Sequence, residues 1–419
     1  MDVEAFLAVV RGEPEYAGQI SNVETLPART ARMAALSSSL DPDVAETLAA
    51  EGVGDLYTHQ VEAIEAVRAG RDVCVATGTA SGKSLCYNVP VIERLARDPD
   101  ARAIYLFPTK ALAQDQLAAL QRLSGRSERL ADAVRPATYD GDTPRHLRSR
   151  IKRSANLILT NPDMLHVGVL PYHARWGSLF ANLAFVVVDE IHVYRGIFGS
   201  NVGLVLRRLR RLCEHYGARP QFICSSATIA NPQELAEALT QVPMVLVDGD
   251  GSPHGRRHVV FWNPPVSDPA RVMRRSANVE GQRLMTRLVE DGIQTIVFTK
   301  ARVVAELIYR YAREDLERHG SPAADRIRPY RGGYLADERR AIEKALFSGQ
   351  LLGVSATNAL ELGIDVGTLE AAIMVGFPGT IASTWQQIGR AGRASDDSLA
   401  VLVAYDDPVD QYVVRHSEY

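Results

Sequence analysis

The sequence predicts an α/β protein of two tandem domains, each a parallel β-sheet covered by helices, and three observations predict it. Residues 56–228 alternate short β-rich runs with longer helical stretches, and residues 294–405 do so again. A Gly-, Pro- and His-rich stretch, "DGDGSPHGRRHVVFWNPPVSDP" at 248–269, separates the two series. A chain of 419 residues also exceeds one ordinary core and suits two domains of about 200 residues each. Such alternation implies parallel strands buried on both faces, with ligands at their carboxyl ends.

In chain order, residues 1–45 read as a helical accessory segment and 46–248 as the first domain. Its strands are "DVCVAT" (72–77), "AIYLFPT" (103–109), "NLILTNP" (156–162), "FVVVDE" (185–190) and "QFICSSAT" (221–228), each followed by a helix. Residues 249–270 read as an interdomain connection and 271–419 as the second domain. Its strands are "QTIVFTK" (294–300), "LLGVSAT" (351–357), "AAIMVGFP" (371–378) and "LAVLVAY" (399–405). The polar clusters singled out below all sit at the carboxyl ends of these runs. There is no short-period repeat or low-complexity segment.

With 46% hydrophobic and 23% charged residues the composition is that of a soluble globular protein. A formal charge of −3 sets the chain apart from wholesale polyanion binders, so nucleic-acid contacts would have to come from local patches. Cys74, Cys86, Cys213 and Cys224 lie in apolar or helical surroundings with no CxxC pair, which argues for reduced core thiols and against zinc. The opening "MDVEAFLAVVRGEPE" lacks the basic-then-apolar layout of a signal peptide. The apolar stretch 371–385 is too short to span a membrane and contains Gly and Pro. A cytoplasmic protein without membrane contact is the expectation.

"TGTASGKS" (77–84) follows the first strand and opens a helix, the context in which backbone N–H groups of Thr79, Ala80, Ser81 and Gly82 cradle phosphates. Lys83 would hold the β/γ-phosphates of ATP, and Ser84 would ligate Mg²⁺. Thr77 stands where the strict pattern has its first Gly, so a Ser/Gly turn capping a helix is the plainer alternative. In "AFVVVDEIHVYRG" (184–196) an apolar run ends in two carboxylates, and a buried unpaired carboxylate costs several kcal/mol. Asp189 therefore reads as a Mg²⁺ ligand and Glu190 as the acid that orients or deprotonates the attacking water. A zinc site using His192 lacks the HExxH or three-ligand spacing it would need.

"TASGKS", "DEIH", "SSAT" and "QQIGRAGR" (386–393), in that order, resemble motifs I, II, III and VI of the superfamily 2 helicases. "LYTHQ" (56–60), "FPTKALAQDQ" (107–116) and "TNPDML" (160–165) resemble motifs Q, Ia and Ib. "VFTKAR" (297–302), "YRGGYLADERR" (330–340) and "SATNALELGIDVG" (355–367) resemble motif IV, the block after it, and motif V. The resemblance covers residues 50–405. "TASGKSLCYNVP", "DEIHVYRGIFGSNV", "WQQIGRAGRA" and "DPVDQYVVRH" narrow it to the MrfA-type, RecQ-related DNA repair helicases of the DExH kind. Members of that group continue into a cysteine-bearing zinc-binding domain, so a truncated core or a short relative is expected here.

The resemblance implies two RecA-like P-loop domains with ATP in the cleft between them. It implies Gln60 as adenine reader, Gly363 and Asp365 as nucleotide contacts from the second domain, and Arg390 and Arg393 as arginine fingers. His192 would hydrogen-bond Gln386 across the cleft, with a structural histidine as the plainer reading. Ser226 and Thr228 would couple the acid motif to the domain arrangement. Thr109, Lys110, Thr160, Thr299, Arg331 and Thr357 carry over as the strand track. The partner would be single-stranded or tailed duplex DNA, with translocation 3′ to 5′. An RNA helicase or remodelling ATPase on the same fold, or an ATP-dependent clamp that does not unwind, stays open. The basic stretches "PRHLRSRIKR" (144–153) and "RRLRRL" (207–212) both sit at helical spacing and read first as solvated helix faces, and only "PRHLRSRIKR" is placed to touch a strand.

Overall fold

In the computed structural model of the chain, all residues are described except 269, 271–272, 332, 335, 362–368, 393–396 and 418–419. The chain divides into two compact units, Ala31–Ser252 and, discontinuously, Met1–Thr30 with Pro253–Tyr419.

The unit Ala31–Ser252 is built on a seven-stranded sheet. From edge to edge its strands are Val245–Val247, Val73–Ala76, Gln221–Ser226, Leu183–Val188, Arg102–Leu106, Leu157–Thr160 and Pro136–Thr138. All neighbours pair in parallel. Alternation sends Val73, Val75, Tyr105, Phe185, Val187 and Ile223 into one hydrophobic core. Cys74, Ile104, Leu106, Val186, Val188, Phe222 and Cys224 enter the other. Both faces are thus buried, which is why these strands read as continuous apolar runs.

The second unit carries another seven-stranded sheet, ordered Ile20–Leu26, Arg257–Trp262, Ser398–Val403, Ala371–Val375, Thr295–Thr299, Gly353–Ala356 and Ile327–Tyr330. It is parallel except at its first edge, where Ile20–Leu26 runs antiparallel to Arg257–Trp262.

The units are divided differently from the boundaries read off the sequence. Residues 1–45 are not one helical accessory. The helix Val3–Arg11 and the strand Ile20–Leu26 belong to the unit that holds residues 253–419, and Val3, Phe6, Leu7 and Val10 enter its core beside Val260 and Trp262. Residues 249–270 are not simply a connection either, because Arg257–Trp262 pairs on both sides and Val259, Val260, Phe261 and Trp262 are buried. The Gly and Pro residues that flank "RHVVFW" made the whole stretch look irregular.

Candidate functional site

The strand Val73–Ala76 delivers the chain to the loop 77–82, and the helix Lys83–Arg97 follows. Thr77, the departure from the strict phosphate-loop pattern, is buried, and its hydroxyl lies 2.7 Å from that of Ser81. Ser81 in turn donates to the Gly78 carbonyl at 2.9 Å. The loop therefore closes with Thr at its first position through a side-chain bond that Gly could not make. Ala80 and Gly82 adopt left-handed conformations, φ +59° and +76°. The φ of Gly82 favours glycine, and a Cβ there, 2.6 Å from Gln60 Nε2, would push the Gln60 amide out of place. Lys83 Nζ donates to the carbonyls of Thr77 (3.0 Å) and Gly78 (2.6 Å). Thr79 and Ser84 are half-buried, and Ser84 sits in the first turn of the helix.

Gln60 bridges two pieces of this site. Its Oε1 accepts from Tyr57 N–H at 2.9 Å and its Nε2 donates to the Gly82 carbonyl at 3.1 Å. Next to it lies a residue the motif reading passed over. His59 is fully buried, accepts at Nδ1 from Gly251 N–H (3.2 Å), and stands 3.0 Å from the Ser81 carbonyl through Nε2. With Nδ1 accepting, the neutral ring carries its proton on Nε2 and donates it to the phosphate loop. Asp250, one residue away from Gly251, accepts from Gly78 N–H at 3.3 Å. Arg32 Nη2 donates to the Asp250 carbonyl at 2.9 Å and Arg32 N–H to the Gly251 carbonyl at 2.9 Å. The segment 248–252, read from sequence as featureless connection, thus straps the phosphate loop. His59 in "THQ" and Asp250 in "DGDG" form no recognisable pattern, because their partners are backbone groups.

The strand Leu183–Val188 ends at Asp189, and Glu190 turns the chain in a left-handed conformation (φ +52°) into a short 3₁₀ turn, Ile191–Val193. Asp189 Oδ1 accepts from Glu190 N–H at 3.0 Å and from the Ser225 hydroxyl, while the Tyr87 hydroxyl lies 3.4 Å from Oδ2. Burial, and next the Glu190 charge, push the Asp189 carboxyl up to about 6. Glu190 Oε2 is buried with no hydrogen-bond donor. Two adjoining carboxylates, one with a raised pKa and one with an orphaned oxygen, are donors that fit Mg²⁺, a hard oxygen-seeking ion.

His192 accepts at Nδ1 from Ala227 N–H (3.2 Å). Its 3.4 Å approach to Glu190 Oε2 is therefore not a hydrogen bond from that nitrogen, whose lone pair is taken. The groups of "SSAT" that meet the acid motif here are the Ser225 hydroxyl and the Ala227 amide, whereas Ser226 and Thr228, the coupling residues expected from the sequence, make no bond to it. Ser226 Oγ is buried without a partner and Thr228 is exposed. The reason is strand parity. Asp189 follows Val187 on the face shared with Tyr87 and Ile223, and Ser225 shares the parity of Ile223, whereas Ser226 points to the opposite face.

In the second unit, Glu361 organises the arginine motif. It accepts from Ser383 Oγ (2.5 Å) and Gln387 Nε2 (2.9 Å), and its carbonyl accepts from Arg390 Nη2 (2.7 Å). Gln386 and Arg390 are buried. Arg393, Gly363 and Asp365 lie outside the described residues.

The strand-track residues all fall at carboxyl ends of strands, but several hydroxyls are already engaged. Thr109 caps the helix Lys110–Ser124, and Lys110 pairs with Asp142 at 2.7 Å. Thr160 Oγ1 donates to the Tyr139 carbonyl (2.6 Å) and Thr299 Oγ1 to that of Ala301 (3.1 Å). Thr357 precedes the 3₁₀ turn Asn358–Leu360. Arg331 lies 3.5 Å from Glu306 and over the Tyr334 ring. The four cysteines are buried and free. No helix among the described residues is long and apolar enough to cross a membrane.

Against known proteins, the family model for DEAD/DEAH box helicases matches residues 57–235 and that for the helicase conserved C-terminal domain matches 281–395. The ATP-dependent helicase YprA of Bacillus subtilis is 47% identical over 400 residues, covering 96% of this chain and 53% of its own. The ATP-dependent helicase HRQ1 of Saccharomyces cerevisiae is 42% identical over 407 residues, covering 96% of this chain and 37% of its own. The crystal structure of the DUF1998 helicase MrfA bound to DNA superposes with a TM-score of 0.92 at 45% identity, over 100% of this chain and 55% of that one. The chain thus spans about half the length of the Bacillus relative and of the crystallised protein.

Proposed function

The chain belongs to the superfamily 2 helicases, and from that membership we propose that it is the motor core of an ATP- and Mg²⁺-dependent DNA helicase. It would move 3′ to 5′ on single-stranded DNA and act in DNA repair, as its resemblance to repair helicases implies. The observation that carries the reading is the carboxylate pair. Asp189 and Glu190 end a strand two places from the strand that feeds the phosphate loop, and Glu190 Oε2 has no donor.

Ser84 and Asp189 would hold Mg²⁺, which supplies charge neutralisation at the transferring phosphoryl group. Lys83 would exchange its bonds to the Thr77 and Gly78 carbonyls for phosphate oxygens. Backbone amides of Thr79, Ala80, Ser81 and Gly82 would cradle those phosphates. Gln60 spends one acceptor on Tyr57 N–H and one donor on the loop and keeps one of each for an adenine edge. Glu190 would take the proton of the attacking water. Arg390 and Arg393 would act as arginine fingers, Gly363 and Asp365 as nucleotide contacts, and His192 with Gln386 as a relay. Thr109, Lys110, Thr160, Thr299, Arg331 and Thr357 would track the strand.

Glu190→Gln should bind ATP like the parent but lose DNA-stimulated hydrolysis by about 10² or more, the usual worth of a general base. Unchanged turnover would sink the assignment. Displacement assays on forked, 3′-tailed and 5′-tailed duplexes, with RNA counterparts, test polarity and nucleic-acid type together. Preference for the 5′ tail, or for RNA, would redirect the reading.

A further inference from the structure

The helix Arg145–Ser154, "RHLRSRIKRS", carries five Arg or Lys residues and no acid, and none of its residues is buried. Its first turn holds Arg145 and His146 with no side-chain cap, cations at the end where the helix dipole disfavours them. Only its carboxyl end is favoured, where Lys152 and Arg153 meet the negative end of the dipole. What holds it is its inner face. Arg148 donates to the carbonyls of Thr143 (3.1 Å) and Asp140 (3.2 Å). Lys152 Nζ sits 5.0 Å from the Trp176 ring centre and 5.9 Å from that of Tyr139, and those rings meet edge to face at 4.9 Å.

The outer face is different. His146, Ser149, Arg150 and Arg153 stand at i, i+3, i+4 and i+7, one stripe of the helix, with Arg145 at its edge, and all are exposed. Among the described residues no carboxylate pairs with any of these arginines, although a solvated helix face ordinarily mixes signs. The helix Arg302–Arg318 does so, pairing Arg310 with Glu314 and Arg313 with Glu317 at 2.8 Å. Like charges one turn apart destabilise a helix, so an all-cationic stripe on a protein of charge −3 is a local departure from the bulk.

The seat of this helix adjoins the strand track. Tyr139, under Lys152, accepts from the Thr160 hydroxyl, and Asp142, in the loop that leads to the helix, pairs with Lys110. We infer that Arg145, Arg150 and Arg153 bind the phosphate backbone of the DNA strand that the Lys110–Thr160 edge would engage, extending its footprint along this helix without reading sequence. The inference rests on the proposed helicase function. The other basic run, Arg207, Arg208 and Arg211, lies in the carboxyl-terminal half of the helix Gly196–His215, which descends toward the start of the next strand and away from the sheet's carboxyl edge. It serves as a control.

The test is binding of fluorescent single-stranded DNA from 50 to 300 mM salt, read by anisotropy, with thermal melting to check the fold. Each phosphate contact contributes about 0.7 to the slope of log K against log salt for a single strand. R145Q/R150Q/R153Q should therefore flatten the slope by about 2 and weaken binding roughly ten- to a hundredfold at 100 mM salt. R145K/R150K/R153K should keep the parental slope, and so should R207Q/R208Q/R211Q. A parental slope in the R145Q/R150Q/R153Q protein would overturn the inference while leaving the helicase reading intact. Equal losses in both Gln triples would overturn it too. A parent protein that binds no DNA would overturn both.

Discussion

Ser225 and Ser226 are adjacent, both buried, and chemically identical, yet their environments predict opposite consequences. The Ser225 hydroxyl donates to the Asp189 carboxylate, whereas the Ser226 hydroxyl has no partner. Removing a donor from a buried carboxylate costs about 1–3 kcal/mol, and deleting an unsatisfied hydroxyl costs little or nothing. Ser225→Ala should lower both the unfolding free energy and the rate of ATP hydrolysis, while Ser226→Ala should leave stability within about 0.5 kcal/mol of the parent. Denaturant unfolding with parallel turnover assays separates them. Parity explains why the motif was legible in the sequence and the working serine was not. "SSAT" announces that a hydroxyl meets the acid motif, but which one does depends on the phase of the strand against Asp189. His59 and Asp250 were invisible for another reason. They act through backbone groups of the phosphate loop, and a backbone partner leaves no mark in sequence.

At the scale of elements, strands buried on both faces were legible because they are continuous apolar runs, while edge strands were not. Ile20–Leu26 is "ISNVETL", with no residue fully buried, and it reads as a strand only through its pairing with Arg257–Trp262. The strap 248–252 was hidden by the Gly and Asp residues that let it approach the phosphate loop. A Cβ at Gly251 would lie 2.4 Å from Thr58 Oγ1 and 2.8 Å from the Arg32 carbonyl. These contacts yield a prediction about the first 30 residues. Val3, Phe6, Leu7 and Val10 each bury an apolar side chain worth about 1.5–3 kcal/mol as an upper bound. Together they approach the whole stability of an ordinary domain. A chain beginning at residue 31 should therefore melt at markedly lower temperature and bind a hydrophobic dye, with the exposed Arg257–Trp262 edge promoting aggregation. An unchanged melting profile would mean that the amino-terminal segment is decoration.

At the scale of the molecule, the residues proposed for catalysis are divided between the two units. Lys83, Asp189 and Glu190 belong to one, Arg390 and Arg393 to the other. On the proposed roles neither unit alone carries the full set, so hydrolysis should depend on residues that contribute nothing to the phosphate loop. The two arginines are not equivalent probes. Arg390 Nη2 also donates to the Glu361 carbonyl, within a network that includes Ser383 and Gln387. Arg390→Ala should therefore lose both catalysis and stability of the helix Ile381–Ile388, and its lower turnover alone cannot identify a finger. An arginine finger is worth about 10³–10⁵ in rate and little in nucleotide affinity. Arg393→Ala should accordingly lower DNA-stimulated kcat by about 10³ while the Kd for ATP moves by less than about tenfold. Equilibrium nucleotide titration beside steady-state turnover distinguishes this from simple loss of the site, and a kcat within a few-fold of the parent would remove Arg393 from the catalytic set.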